Sequence, residues 1–403
     1  MDGGWAAAVR RSALLHTYDG RVSHTQSIPF ELARYHRQML LPQVGVEGQE
    51  KLGAAHALIV GCGALGTVIA DALCRAGVGT LTIVDRDTVE LTNLQRQILF
   101  DEEDARQGLP KAEAARRKLE RVNSAVRVRA VIEDFNATNA ERLAGIGTDR
   151  PAQVLLDATD NFETRYLLND LAVKHGIPMV YGGAVSTTGM TFTIVPRRAQ
   201  GAARAAADEA AAGPCLRCLF ESAPPPGTTP TCDTAGVLGP AVSVIASIQA
   251  AEAIKVLLGR ADLLRRSLLT IDLFHNELRE LDVSGALRPE CPCCGARRFE
   301  YLEGGGATEV ASLCGRGAIQ INPAAAQASA GTPRLDLAAL AERLRAHGEF
   351  ELTRFLLKGS LSGERGDAGE EVELTVFADG RAIIKGVHRP ESAKSIYARY
   401  IGA

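Results

Sequence analysis

The stretch ALIVGCGALGTVIADALCRAGVGTLTIVDRDTVELTNLQR, residues 57–96, decides the fold. An apolar run over 57–60 meets Gly61-Cys62-Gly63-Ala64-Leu65-Gly66, and an Ala- and Leu-rich helical pattern follows to Ala76. A second apolar strand over 80–84 ends at Asp85. Strand, glycine turn, helix, strand and acid in this order make a nucleotide-binding Rossmann unit rather than a chance Gly-rich turn. Gly61, Gly63 and Gly66 let the backbone turn tightly and admit phosphate to the helix N-terminus, where free N–H groups and the helix dipole attract anions. Asp85 stands about twenty residues past the last glycine, where a carboxylate accepts hydrogen bonds from ribose hydroxyls.

NAD is the usual ligand of such a unit, but the residues that follow point elsewhere. Asn93, Arg96 and Gln97 lie just beyond the strand that carries the ribose acid, and Lys111 follows near the start of the next long helix. A dinucleotide needs few cations at its pyrophosphate, whereas a triphosphate under attack needs several, together with a metal. A carboxylate to hold that metal is available at Asp160, in Leu156-Asp157-Ala158-Thr159-Asp160-Asn161, after an apolar strand over 154–156. Open α/β sheets bind ligands at the carboxyl ends of their strands, so Asp85 and Asp160 are expected to face one crevice.

Composition sets the bounds. The chain has 403 residues, 46% apolar and 23% charged, which is the balance of a globular protein of two or three domains. A net charge of −3 predicts no general affinity for nucleic acid or an anionic membrane. Residues 1–30 hold no uninterrupted apolar segment, so no signal peptide is expected. The longest apolar stretch, 236–258, contains Pro240, Gln249, Glu252 and Lys255 and reads as a buried helix, not a membrane span; the expected location is the cytoplasm.

Four of the nine cysteines form two C-x-x-C pairs, Cys215/Cys218 and Cys291/Cys294. Each spacing lets two thiolates chelate one ion, and four sulfurs complete a tetrahedral zinc site with no open position. Cys293 in place of Cys294 fits the spacing less well, and a redox pair is the alternative chemistry. Cys232 lies in a Pro- and Gly-punctuated loop before the apolar helix, where the helix N-terminus favours a nucleophilic thiolate. Cys62 and Cys74 read as small packing residues, and Cys314 as a lone cysteine with a sulfur-relay role as the outside reading.

Several motifs now stand in a fixed order. They are Arg34-Tyr35-His36-Arg37-Gln38, the glycine turn, Asn93-Leu94-Gln95-Arg96-Gln97, Ala158-Thr159-Asp160-Asn161, the C-x-x-C pairs and Thr231-Cys232-Asp233-Thr234-Ala235-Gly236. In that order the chain resembles the MoeB/ThiF adenylyltransferases, relatives of ubiquitin-activating (E1) enzymes, over roughly residues 31–303. The resemblance implies ATP-dependent adenylation of the C-terminal glycine carboxylate of a ubiquitin-like sulfur carrier of the ThiS/MoaD type. In that reading Asp85 binds ribose, while Asn93, Arg96 and Lys111 handle phosphates. Asp160 holds Mg²⁺, Arg37 reaches the ATP of a homodimeric partner, and Cys232 is a candidate covalent carrier of the product. It also implies a sulfur donor of cysteine desulfurase or rhodanese type. Activation of a different carboxylate, an NAD-dependent oxidoreductase and a non-catalytic carrier-binding scaffold are the competing readings.

The expected architecture is α/β: a Rossmann-like fold with a mixed central sheet and a four-cysteine zinc site, plus a small C-terminal α+β module. The divisions are an N-terminal extension over 1–30, an adenylylating domain over 31–303, a linker over 304–334 and the module over 335–403. Residues 268–283 read as one long strand, and 197–213 as a low-complexity insertion. In the module, Asp336 is placed to cap a helix carrying Leu337, Leu340 and Leu344. Strands are expected over 350–357, 371–377 and 382–385, with a closing helix over 392–400, and a short strand is expected over 318–321 within the linker.

Overall fold

A computed structural model describes residues 30–160, 162–197, 212–221, 235–303, 310–313, 317–322 and 335–401. The expectations for the N-terminal extension, most of the 197–213 insertion, Cys232 and Cys314 lie outside the described residues.

The first strand, β1 (His56–Val60), is buried along its whole length. It pairs in parallel with β2 (Thr80–Val84) on one side and β4 (Val154–Asp157) on the other, so that Ile59 lies opposite both Ile83 and Leu156. With β3 (Arg127–Val131), β5 (Met179–Val185), β6 (Thr188–Ile194), β7 (Ser267–Asp272) and β8 (Glu277–Asp282) these form an eight-stranded sheet. The order is β3-β2-β1-β4-β5-β6-β7-β8. Pairing is parallel from β3 to β5 and antiparallel from β5 to β8, so the sheet is mixed, as expected. The chain winds outward from β1 through β2 to β3 and then returns to place β4 on the other side. That reversal opens a crevice at the carboxyl ends of β1 and β4.

Alternation along the strands supplies two cores. Ala57, Ile59, Leu81, Ile83, Leu156 and Val180 face a layer built from the helices Ala64–Ala76, Lys111–Val122 and Gly239–Leu257. Leu58, Val60, Val84, Leu155 and Met179 face the helix Phe162–His175 and the cysteine-bearing loops. The apolar helix Gly239–Leu257 is a core helix of the first layer, burying Ala241, Val242, Ile245, Ala246, Ala250 and Ala253.

Two strand expectations are corrected. Residues 268–283 are a hairpin, β7 and β8, because Asp272 accepts hydrogen bonds from the N–H groups of Phe274 and His275 and Asn276 adopts φ +54°. Short Asx side chains that bond their own backbone make turns where apolar alternation alone suggests continuity. Residues 350–357 are likewise a hairpin, β11 (Gly348–Leu352) turning into β12 (Leu356–Arg365) with Thr353 Oγ1 accepting from the N–H groups of Phe355 and Leu356.

The C-terminal region forms a second sheet, antiparallel throughout, with β13 (Glu371–Phe377), β14 (Ala382–Lys385), β10 (Ala318–Ile321) and β9 (Val310–Leu313) completing the order β11-β12-β13-β14-β10-β9. The stretch read as linker, 304–334, therefore contributes two strands to this sheet. The strand over 318–321 is the one expected, and flanking Gly-rich sequence obscures its four-residue neighbour over 310–313. Asp336 caps the helix Leu337–Leu344 by accepting from the N–H groups of Ala338 and Ala339, and Leu337, Leu340 and Leu344 are buried.

One buried polar side chain ties the core helix to the sheet where β4 and β5 diverge: Gln249 Nε2 donates to Asp157 O at 2.8 Å and to Val180 O at 3.2 Å. Gln249→Leu leaves both carbonyls without that donor and should lower stability by about 1–3 kcal/mol. A shift of the urea unfolding midpoint, with far-UV circular dichroism to report retention of the fold, checks this.

Candidate active site

The crevice begins at the glycine turn. Gly61 adopts φ +94°, and a Cβ there would lie 2.4 Å from Ala158 O. A Cβ on Gly66 would lie 2.1 Å from Gly61 O. These two glycines bring the exits of β1 and β4 and the start of the helix Ala64–Ala76 into backbone contact. Gly63 differs. Its φ is −87°, and the nearest atom to an added Cβ is Gln97 Nε2 at 3.8 Å. The helix starts without a side-chain cap, so open space lies at a helix N-terminus, the setting in which a phosphate is held.

Asp85 at the end of β2 accepts from Cys62 N–H at 2.5 Å and from Asp87 N–H at 2.8 Å. Burial pushes its carboxyl pKa up, against the opposing pull of Lys111. A carboxylate has room for further donors on each oxygen, and ribose hydroxyls would supply them. Lys111 opens the helix Lys111–Val122 and is buried, with Nζ 2.9 Å from Asp87 Oδ2.

The crossover segment supplies two unsatisfied polar groups. Asn93 is fully buried; its Oδ1 accepts from Glu90 N–H at 3.1 Å while Nδ2 has no partner. Gln97 is also buried, and its Oε1 has no partner. Buried amides without partners are rare and costly, and beside the opening at Gly63 they are suited to a bound ligand. Arg96 projects from the same segment, partly exposed, with Nη1 on Thr92 O at 2.9 Å.

Across the crevice the β4 exit carries two aspartates in different states. Asp157 is fully buried, paired with Arg165 Nε at 2.9 Å, and it accepts from Thr159 N–H and Oγ1. Arg165 also donates to Thr159 O, so the pair shapes the loop that presents the exposed Asp160. Arg86 lies within electrostatic reach of both Asp160 and Asp85.

Arg86, Asp87 and Arg165 carry no assigned role in the sequence reading. Arg86 bonds Asp134 at 2.9 Å, Asp87 bonds Lys111, and Arg165 bonds Asp157. Two aspartates flanking an arginine at a strand exit are visible in the sequence, but which of them is buried is not. Arg37 lies apart from this group in its own chain, exposed on the short helix His36–Met39. Arg34 is instead tied to Asn123 of the same chain.

The second centre lies under the opposite face of the sheet. The sulfurs of Cys215, Cys218, Cys291 and Cys294 all lie within 4.8 Å of one another. Adjacent separations are 4.0, 3.6 and 3.3 Å, against about 3.8 Å for sulfurs around a tetrahedral zinc with bonds of ~2.3 Å. Hydrogen bonding from Cys218 and its neighbours pushes the Cys215 thiol down while the same contacts push Cys218 and Cys294 up, so the cluster shares one thiolate among its sulfurs. Cys293 lies outside the set, accepting from Asn169 Nδ2 at 3.2 Å. Cys62 and Cys74 are buried packing residues, as expected.

With this geometry in place, comparison with known proteins is informative. The sequence model described as the ThiF family matches residues 35–293. The Bacillus subtilis protein named sulfur carrier protein ThiS adenylyltransferase is 40% identical over 370 residues, covering 92% of this chain and 99% of that one. The Thermus thermophilus protein named sulfur carrier protein adenylyltransferase is 43% identical, covering 66% of this chain and 91% of its own. Among solved structures, E. coli MccB matches with a TM-score of 0.53 at 23% identity over 67% of this chain and 74% of that one, a likeness of fold alone.

The two kinds of glycine should separate experimentally. Gly66→Ala forces a Cβ against Gly61 O and should destabilise the protein by about 1–3 kcal/mol or more. Gly63→Ala should unfold at the wild-type urea concentration while binding nucleotide more weakly. Denaturation midpoints and nucleotide calorimetry on both variants check this.

Proposed function

This chain belongs to the ThiF family, and from that premise we propose that it is an ATP-dependent adenylyltransferase acting on the C-terminal glycine carboxylate of a small ubiquitin-like sulfur carrier protein. The observation that carries the reading is the match to the Bacillus subtilis ThiS adenylyltransferase across almost the whole of both chains. The crevice supports it with a glycine turn open at Gly63, the ribose acid Asp85 and unpartnered buried amides at Asn93 and Gln97.

A free carboxylate is a poor electrophile because its leaving group would be oxide. Attack by a carboxylate oxygen on the α-phosphorus of ATP forms a new P–O bond and breaks the bond to the β-phosphate, releasing pyrophosphate. The product acyl-adenylate has AMP as its leaving group. The attacking carboxylate is already ionised at neutral pH, so no general base is required. What the protein has to supply is alignment and relief of repulsion between two anions.

Asp85 orients the ribose, the turn at Gly63 receives phosphate, and Asn93, Arg96 and Lys111 donate to phosphate oxygens as charge develops. Asp160 would hold Mg²⁺, whose charge would offset that of the triphosphate. Arg37 is exposed, and Leu40, Leu41 and Val46 just beyond it are exposed as well, the surface expected where a second copy packs. In a homodimer Arg37 would reach the partner's ATP. The four-cysteine cluster, with its sulfurs within 4.8 Å of one another, would hold a structural Zn²⁺. A persulfide on a separate donor, a cysteine desulfurase or rhodanese-type protein, would then attack the acyl carbon and expel AMP, and a second thiol attacking the donor's own sulfur in the resulting acyl disulfide would form a disulfide there and release the thiocarboxylate. Cys232 is the candidate covalent intermediate in that step.

Carrier-dependent ATP–pyrophosphate exchange tests the activity, and Arg96→Ala and Asp160→Asn should each lower its rate about a hundredfold or more. Mixing Arg37→Ala protomers with Asp160→Asn protomers should restore part of that exchange, since one composite site regains both groups; no recovery would place Arg37 outside the partner's site. Metal analysis should find one zinc per chain, and stripping it with a chelator, or Cys291→Ser, should lower the thermal midpoint.

A further inference from the structure

The second sheet meets the first at one wall of the crevice. Its β13–β14 hairpin turns at Asp379-Gly380-Arg381, with Gly380 at φ +86°. Arg381 is only 2% exposed, and its guanidinium carbon lies 4.0 Å from the centroid of the Phe377 ring. Nη1 donates to Arg86 O at 3.1 Å and Nη2 to Ile132 O at 3.5 Å.

Those two carbonyls mark the point where β2 and β3 part. The last residues paired between the strands are Val84 and Val131, and Asp85 N–H donates to Val131 O at 3.1 Å. Two residues beyond Val84 and one beyond Val131, the carbonyls of Arg86 and Ile132 accept from Arg381. The rigid two-pronged guanidinium fits two diverging carbonyls, whereas an ammonium on a flexible stem offers a single point of charge. Asp379, Asp134 and Asp87 face this cation with opposite charge and Arg86 with like charge.

Further contacts join the same surfaces. Lys385 pairs with Glu90 at 3.4 Å, Arg354 with Glu113, and Asn322 donates to Asp134 at 3.5 Å. Ile132 packs against a cluster formed by Ala318, Leu356, Phe377 and Ile383. The residues gripped in the first domain, 86, 90 and 113, flank Asp85, Asp87 and Lys111.

We infer that the C-terminal module is a positioning element of the nucleotide site. Arg381 is its positioning residue: it holds the β2 exit loop, and with it Asp85 and the Asp87–Lys111 pair, in the arrangement that receives ribose and phosphate. The inference rests on the ATP-binding reading above. The predicted signature is a defect in nucleotide affinity with the carrier's half-saturation unchanged.

The test uses the full chain as wild type, Arg381→Lys and Arg381→Ala, with ATP affinity measured by calorimetry in the absence of any carrier. Hydrogen exchange over residues 85–90 is followed in parallel. Both variants should bind ATP roughly tenfold more weakly, the scale for losing hydrogen bonds to a charged donor. Exchange over 85–90 should quicken, and low-millimolar guanidinium should recover affinity in Arg381→Ala but not in Arg381→Lys. If Arg381→Ala does not fold, Arg381→Lys, which keeps the charge and most of the volume, decides the matter. A folded Arg381→Lys with wild-type ATP affinity and wild-type exchange overturns the positioning role alone. A wild-type chain that does not bind ATP overturns the nucleotide reading and this inference with it.

Discussion

The structure depends on a backbone-to-backbone approach that leaves no room for a side chain. Gly61 passes Ala158 O, and Gly66 passes Gly61 O, at separations an added Cβ would reduce to 2.4 and 2.1 Å. Because of this approach, two neighbouring parallel strands end at one point with a helix N-terminus between them. A bulkier turn would lift the helix off the sheet and separate the β1 exit from the β4 exit. The crevice, its polarity and the order of its ligating groups all follow from that contact.

Around the turn the charges come in pairs: Asp87 with Lys111, Arg86 with Asp134, and Asp157 with Arg165. Buried pairs are poor evidence of stability, since desolvation offsets much of their attraction. Their value here is geometric. Asp157 and Arg165 shape a loop so that Asp160 reaches solvent at the crevice, and the Asp87 carboxylate fixes the direction of Lys111. Fixed dipoles and charges that need no rearrangement during reaction are what lower the barrier to phosphoryl chemistry. The cysteine cluster does related work on the far face of the sheet. It joins the 215–218 loop to the 291–294 loop, beneath the helix Phe162–His175.

The fit between sequence and structure is uneven, and the pattern has physical causes. Strong periodicity and special backbone residues were legible: the glycine turn, the strands running toward Asp85 and Asp160, a buried helix within 236–258 and the two C-x-x-C pairs. Hairpin turns inside alternating stretches were not, because alternation does not reveal where Asp272 and Thr353 bend the chain. The strand over 318–321 was legible in its apolar run, but its neighbour over 310–313 was not, because a strand this short is stabilised by its neighbours in a sheet, not by its own composition.

The glycine turn, the strand-end carboxylates and the cysteine cluster are therefore written into short stretches, where the identity and spacing of glycines, carboxylates and thiols suffice. The pairing of distant groups is not. That Arg381 meets the carbonyls of Arg86 and Ile132, and that Asp157 is buried while Asp160 is exposed, depends on how separate segments pack. Burial and long-range contact are properties of the assembled core, set by the shapes of all its layers at once, and no window of sequence contains them.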